Sequence, residues 1–248
     1  MLTASNLQYG FLAELFEGAQ MSSNVLSGIT TLYFSLHSAS PGDGGNQTTS
    51  EVSYTGYARK GVTIGTSEFT ANLVNGDVVN DNAIQWNQCT GGTATARWVG
   101  IGTASSGVGT LLAYFPVVAS GDNWMYCVTD EVTDEIDIYS AHLGTNPTIA
   151  QLDELAILPI YNDTVTQGLS GSTVYYVATS IAVGGTWPGP VNCELTTNAD
   201  GSGGPVSITN TLGAGEARVF HCIRITPISI STGTYPTVNA SGFRAYMT

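Results

Sequence analysis

The chain has 248 residues, 42% of them apolar but only 10% charged, with a formal charge of −13 from 19 acids against 6 bases. Ordinary domains carry about a quarter charged residues, so the polar surface here must come from Thr, Ser, Asn, Gln and Gly, which suit sheets and turns better than helices. An acidic chain with one lysine, Lys60, excludes nucleic acid and anionic membranes as partners, since both need clustered bases, and no apolar run reaches the ~18 residues of a membrane helix.

Residues 1–20 read as an amphipathic helix. Ser5 caps it, Leu7, Phe11, Leu12, Leu15 and Phe16 fall at helical spacing, and Gly18 ends it. It serves either as a helix packed on the sheet or as an arm for a neighbouring subunit. The N-terminus has no Lys/Arg-rich region of a secretory signal. Residues 30–37 are a strand, with Leu32, Phe34 and Leu36 on one face and Tyr33, Ser35 and His37 on the other. Pro41, Gly42, Asp43, Gly44, Gly45 and Asn46 are turn formers and make residues 39–50 a polar loop. The chain then resumes as a strand through Tyr54, Tyr57 and Arg59.

Short strands follow within 51–66, 77–86, 95–102 and 110–118, separated by Gly-rich links, a spacing that indicates a sandwich or barrel. Residues 130–137 carry five acids. Residues 148–161 (TIAQLDELAILPIY) read as a second helix, stopped by Pro159. Strands return at 172–182, 205–211, 217–228 and 242–248. The expected fold is all-β, sandwich or jelly-roll-like, with one N-terminal helix. Its expected parts are an arm over 1–27 and β modules over 28–125 and 126–248, which could equally be two sheets of one domain.

Chemistry is sparse. His37 ends a strand, and no nucleophile or orienting group is evident at a useful spacing, so it reads as hydrogen-bonded to backbone. Asp130, Glu131, Asp134, Glu135 and Asp137 are too crowded for a catalytic pair and read as a solvated face. Cys89, Cys127, Cys193 and Cys222 form no CxxC pair and read as buried thiols. Trp187, among Gly185, Pro188 and Pro190, is the exposed-loop candidate for stacking on a sugar. No catalytic residue, metal or cofactor is expected, and the chain is not expected to be an enzyme.

Leu36-His37-Ser38-Ala39-Ser40-Pro41-Gly42-Asp43, followed by Tyr54-Thr55-Gly56-Tyr57-Ala58-Arg59, resembles small structural proteins of tailed bacteriophages. Those carry Leu-His-Thr-Ala-Asp-Pro-Gly, a polar loop and Tyr-x-Gly-Tyr-Ala-Arg. Asn82 to Trp86, Trp98 to Gly107 and Leu111 to Tyr114 continue the likeness, which covers residues 1–118. Ser38 and Ser40 replace the family's Thr and Asp. The resemblance implies a virion structural protein, assembled in the host bacterial cytoplasm, that contacts itself and other virion proteins, the major capsid protein first. The sequence has no coiled-coil or collagen-like periodicity, which favours a capsid decoration (cement) protein. The alternatives are a tail-fibre or baseplate attachment protein that binds a receptor or glycan, and a glycan-active β-sandwich enzyme. His37, Pro41, Gly42, Asp43, Tyr57 and Arg59 are the candidate contact residues, and Tyr57 and Arg59 are expected to hold the 39–50 loop in register.

Overall fold

The computed structural model describes residues 29–42, 44–72, 77–119, 125–130, 134–140, 149–159, 169, 173–178, 191–207, 219–240, 242 and 244–246. The helix expected over 1–20, and with it Asp43 and Trp187, lies outside these residues. Every regular element among the described residues is a strand, so the all-β expectation holds. The chain divides into two compact units, one made of Met1–Ser120 with Pro227–Thr248 and the other of Gly121–Thr226.

In the first unit, β1 (Thr31–His37), β2 (Lys60–Thr63), β3 (Phe69–Asn72), β4 (Asp77–Asn80), β5 (Ile84–Gln85), β6 (Thr93–Ala96), β7 (Trp98–Gly102) and β8 (Leu111–Pro116) follow one another. An antiparallel sheet runs β2-β1-β7-β8. Leu32, Phe34 and Leu36 of β1 are fully buried, and with Val99, Ile101, Phe69 and Trp86 they anchor the core. Each contributes about 1.5–3 kcal/mol of burial. Ser35 and His37, on the opposite face, are equally buried, so β1 is covered on both sides.

The segment Tyr54–Arg59, expected as strand, is irregular, and β2 starts only at Lys60. Gly56 explains the break. Its φ is +98°, and a Cβ there would stand 2.6 Å from the Gln88 carbonyl oxygen, so the chain turns where a side-chain-bearing residue could not.

In the second unit, β9 (Met125–Asp130), β10 (Glu135–Ser140), β11 (Glu154–Pro159), β12 (Val174–Val177), β13 (Val191–Thr196) and β14 (Val219–Ile225) close into a barrel in the order β10-β13-β12-β11-β14-β9. All six pairings are antiparallel. The inward positions follow period two: Met125 and Cys127, Ile136 and Ile138, Leu155 and Ile157, Tyr175 and Val177, Cys193 and Leu195. The helix expected over 148–161 is therefore corrected: Glu154–Pro159 is a barrel strand. Local helix propensity is a weak preference, and here pairing on both sides of Leu155 overrides it. Pro159 ends the strand, and the described pairing with β12 stops at Ala156, so no described β12 bond calls on the N–H it lacks.

The last strands, β15 (Ile228–Ser231), β16 (Thr237–Val238) and β17 (Arg244–Tyr246), pair with β6, β5 and β4 of the first unit. The sequence reading placed these residues in the module 126–248. The strand pairing places them with the first unit.

Candidate functional site

The base of the 39–50 loop is closed by backbone bonds from Ser38 N–H to Ser50 C=O and from Val52 N–H to Leu36 C=O, both 2.9 Å. Inside, Asn46 Oδ1 accepts from Thr48 N–H at 2.8 Å, and Gly45 N–H bonds to Gly42 C=O at 3.0 Å. Pro41 is buried and Gly42 takes φ +68°, the turn conformation expected of it.

Two buried polar side chains join this loop to the 103–110 loop that links β7 to β8. Gln47 is fully buried. Its Nε2 donates to Tyr33 C=O at 3.2 Å, and its Oε1 accepts from Ala104 N–H at 2.9 Å. Its own N–H donates to Gly109 C=O at 3.2 Å. A Cβ on Gly102 or Gly109 would overlap the Gln47 side chain, so both glycines make room for it.

Arg59 is the second brace, with its side chain 2% exposed. Nε and Nη2 donate to Glu51 Oε1 and Oε2 at 2.8 and 2.7 Å, the bidentate geometry that guanidinium favours. Nη1 donates to Ala104 C=O at 3.0 Å and Nη2 to Gly107 C=O at 2.8 Å. The Glu51 hydrogen bonds raise the Arg59 pKa above its ordinary value. Tyr57 completes the node: its hydroxyl donates to Glu51 Oε1 at 2.8 Å and accepts from Leu36 N–H at 3.0 Å. Burial pushes its phenol far above the usual range. Tyr57 and Arg59 thus converge on Glu51 without sharing a strand face. Glu51 and Gln47 were not singled out from sequence, and their only local signal was a polar residue beside a turn.

His37 sits in the same region. Its Nδ1 is 2.7 Å from Thr49 C=O, an acceptor only, so Nδ1 carries the proton. Nε2 then accepts from Ser35 Oγ at 2.8 Å, and Oγ lies 3.3 Å from Gly100 C=O. This corrects the reading of His37 as lacking a nucleophile partner. Ser35, two residues away on the same face, is the partner that period two could have supplied. Both are wholly buried, and a Cβ on Gly100 would overlap His37 Nε2, so the pair is packed shut. Burial lowers the His37 pKa.

The described residues on the outer surface of the two loops are uncharged; Asp43, the one acid in these stretches of sequence, lies outside the described residues. Ser38, Gly44, Thr48 and Ser50 are exposed in one, and Ser105, Ser106, Gly107 and Val108 in the other. Val108 is 78% exposed, between Gly107 (φ +67°) and Gly109. No described residue of 38–50 or 103–110 is Asp, Glu, Lys, Arg or His.

Elsewhere, Trp86 and Trp98 are core residues, the Trp86 indole donating to Phe34 C=O at 3.0 Å, so neither is a sugar platform. All four cysteines are buried, and none of them is in a disulfide. Of the acidic run, Asp137 Oδ1 accepts from Asn192 Nδ2 across β10 and β13. A cleft of about 230 Å³ beside β2, lined by Lys60, Glu68, Phe69, Asn82 and Ile84, is smaller than the ~300 Å³ or more of pockets for drug-sized ligands.

No curated protein matches the chain. Residues 11–122, under half of the sequence, match a family model described as Podophage GP4 fiber I protein gp80, and this match supports a place among phage virion structural proteins, in association with other virion components.

Proposed function

We propose that the protein is a fibre component of a tailed-phage particle and that the paired 38–50 and 103–110 loops form its contact with a neighbouring virion subunit. The family match over residues 11–122 carries this reading, because that span contains both loops and every residue that braces them. The chemistry of the loops supports it. Interface cores are depleted in charge, and a rigid contact surface spares the ordering cost of about 0.5–1.5 kcal/mol per mobile side chain on binding. The role we propose is structural: the Ser35–His37 pair has nucleophile–base geometry, but both side chains are wholly buried. Four cysteines outside any disulfide fit assembly in the bacterial cytoplasm.

A second reading is a decoration protein on the outer shell, contacting the major capsid protein. The lack of coiled-coil or collagen-like periodicity in the sequence favours it. Gold labelling of a peptide-tagged chain in purified particles separates the two: label on appendages supports the fibre, and label over the shell supports decoration. Particles without label would refute both.

A further inference from the structure

Resting on the virion reading, we infer that the attachment surface lies wholly on the first unit, and that the barrel unit is an inserted module dispensable for joining the particle. Three observations converge. The family match ends at residue 122, beside the start of the second unit at Gly121. After the barrel the chain returns to the first unit, where β15, β16 and β17 pair with β6, β5 and β4. The described strand pairings of the first unit therefore use no residue from 121–226.

Charge is the third observation. Twelve of the nineteen acids but only two of the six bases lie in 121–226, a formal charge of −10 there against −3 on the first unit. Copies crowded together through a module of −10 repel one another, and like charges juxtaposed across a contact disfavour it. The first unit carries only −3, and the described residues on the rim of its braced loops include no charged side chain, Asp43 being the one acid in those two stretches of sequence. The fitting partner is another virion protein subunit meeting that rim.

The test uses the full chain supplied to a phage lacking its own copy. Leu155→Asp places a carboxylate in the barrel interior, where Leu155 is fully buried, and should unfold the barrel alone. Val108→Asp charges the exposed rim. Hydrogen exchange on the purified variants reads which unit is folded, and quantitative mass spectrometry of particles reads incorporation relative to soluble protein. The expected result for Leu155→Asp is loss of protection in 125–225, retained protection in 31–116 and 228–246, and incorporation within twofold of wild type. Val108→Asp should keep full protection and lose incorporation at least tenfold. The inference is overturned if Leu155→Asp loses incorporation tenfold with its first unit still protected. It is also overturned if that substitution unfolds both units, or if Val108→Asp incorporates normally. Wild-type protein absent from particles would overturn the virion reading itself.

Discussion

Replacing Arg59 by Met tests the claim that one buried ion pair fixes both loops. The substitution keeps most of the side-chain volume but removes four donated hydrogen bonds, two to Glu51 and one each to the Ala104 and Gly107 carbonyls. Glu51 is left beside the Tyr57 hydroxyl with its ionic partner gone, at 15% side-chain exposure. Removing one partner of a buried pair costs about 3–5 kcal/mol, a large share of the ~5–15 kcal/mol that holds a domain. An exposed pair would cost only about 0–1 kcal/mol, so the two regimes are well separated.

Glu51→Leu alone should cost about 3 kcal/mol or more for the same reason, the guanidinium being stranded instead. The double variant strands neither charge, so its loss should fall short of the sum by about 1–3 kcal/mol, as expected for residues in direct contact. The orphaned Ala104 and Gly107 carbonyls keep it below wild type. Urea titration followed by hydrogen exchange in peptides spanning 31–63 and 98–116 measures all three variants. Additive losses, or a single-variant loss under about 1 kcal/mol, would show that the pair behaves as a surface contact and that the loops are held by something else.

Gln47→Ala should cost about 2–4 kcal/mol, since it strands the Ala104 N–H and the Tyr33 carbonyl at a wholly buried position, and exchange at Ala104 should accelerate most. Gly100→Ala should cost about 1–3 kcal/mol by overpacking against His37 and Ser35, read as a fall in the urea midpoint at unchanged slope. His37 has a folded pKa depressed by burial, so its neutral form is favoured in the folded state. The stability it contributes is complete above the unfolded value of about 6.5 and is lost as pH falls from there through the folded value; His37→Gln should flatten that part of the profile. Raising ionic strength from about 0.01 to 0.15 M shortens the screening length from about 30 to about 8 Å and should raise the barrel's unfolding temperature more than that of the first unit, in line with −10 against −3.

Period two in β1 gave a strand whose Leu32, Phe34 and Leu36 are core, and the turn residues gave the loop that follows it. Tyr57 and Arg59 were legible as loop holders, but their target was not. Glu51 is eight residues from Arg59, and the other acceptors are backbone carbonyls 45 and 48 residues away. A carbonyl has no signature in sequence. The helix expected over 148–161 failed because its apolar residues suit two periods: Ile149, Leu152 and Ala156 fit a helical stripe, while Leu155 and Ile157 fit one face of a strand. The barrel decided between them. The return of 228–246 was invisible because strands of two to four residues carry no mark of their partner, and Ser231 pairs with Thr93 across the entire barrel sequence.

The distribution of charge also separates the roles of the two units. The first unit has four bases, and Arg59 is committed inside, against Glu51, to fixing loop backbone. Burying a charge is costly unless it is paired and hydrogen-bonded, and Arg59 makes four bonds, to Glu51 at the end of the first loop and to two carbonyls of the second. The ordering entropy of the braced loop segments is therefore met during folding, and the proposed partner would meet a surface already ordered. A flexible loop of Ser, Thr and Gly would bind by ordering itself and would lose that cost in each contact. A loop built only to connect β1 to the next segment has no need of a buried bidentate ion pair. Weakened particle attachment from Arg59→Met, in protein that remains folded, is the observation that would tie the brace to assembly rather than to stability alone.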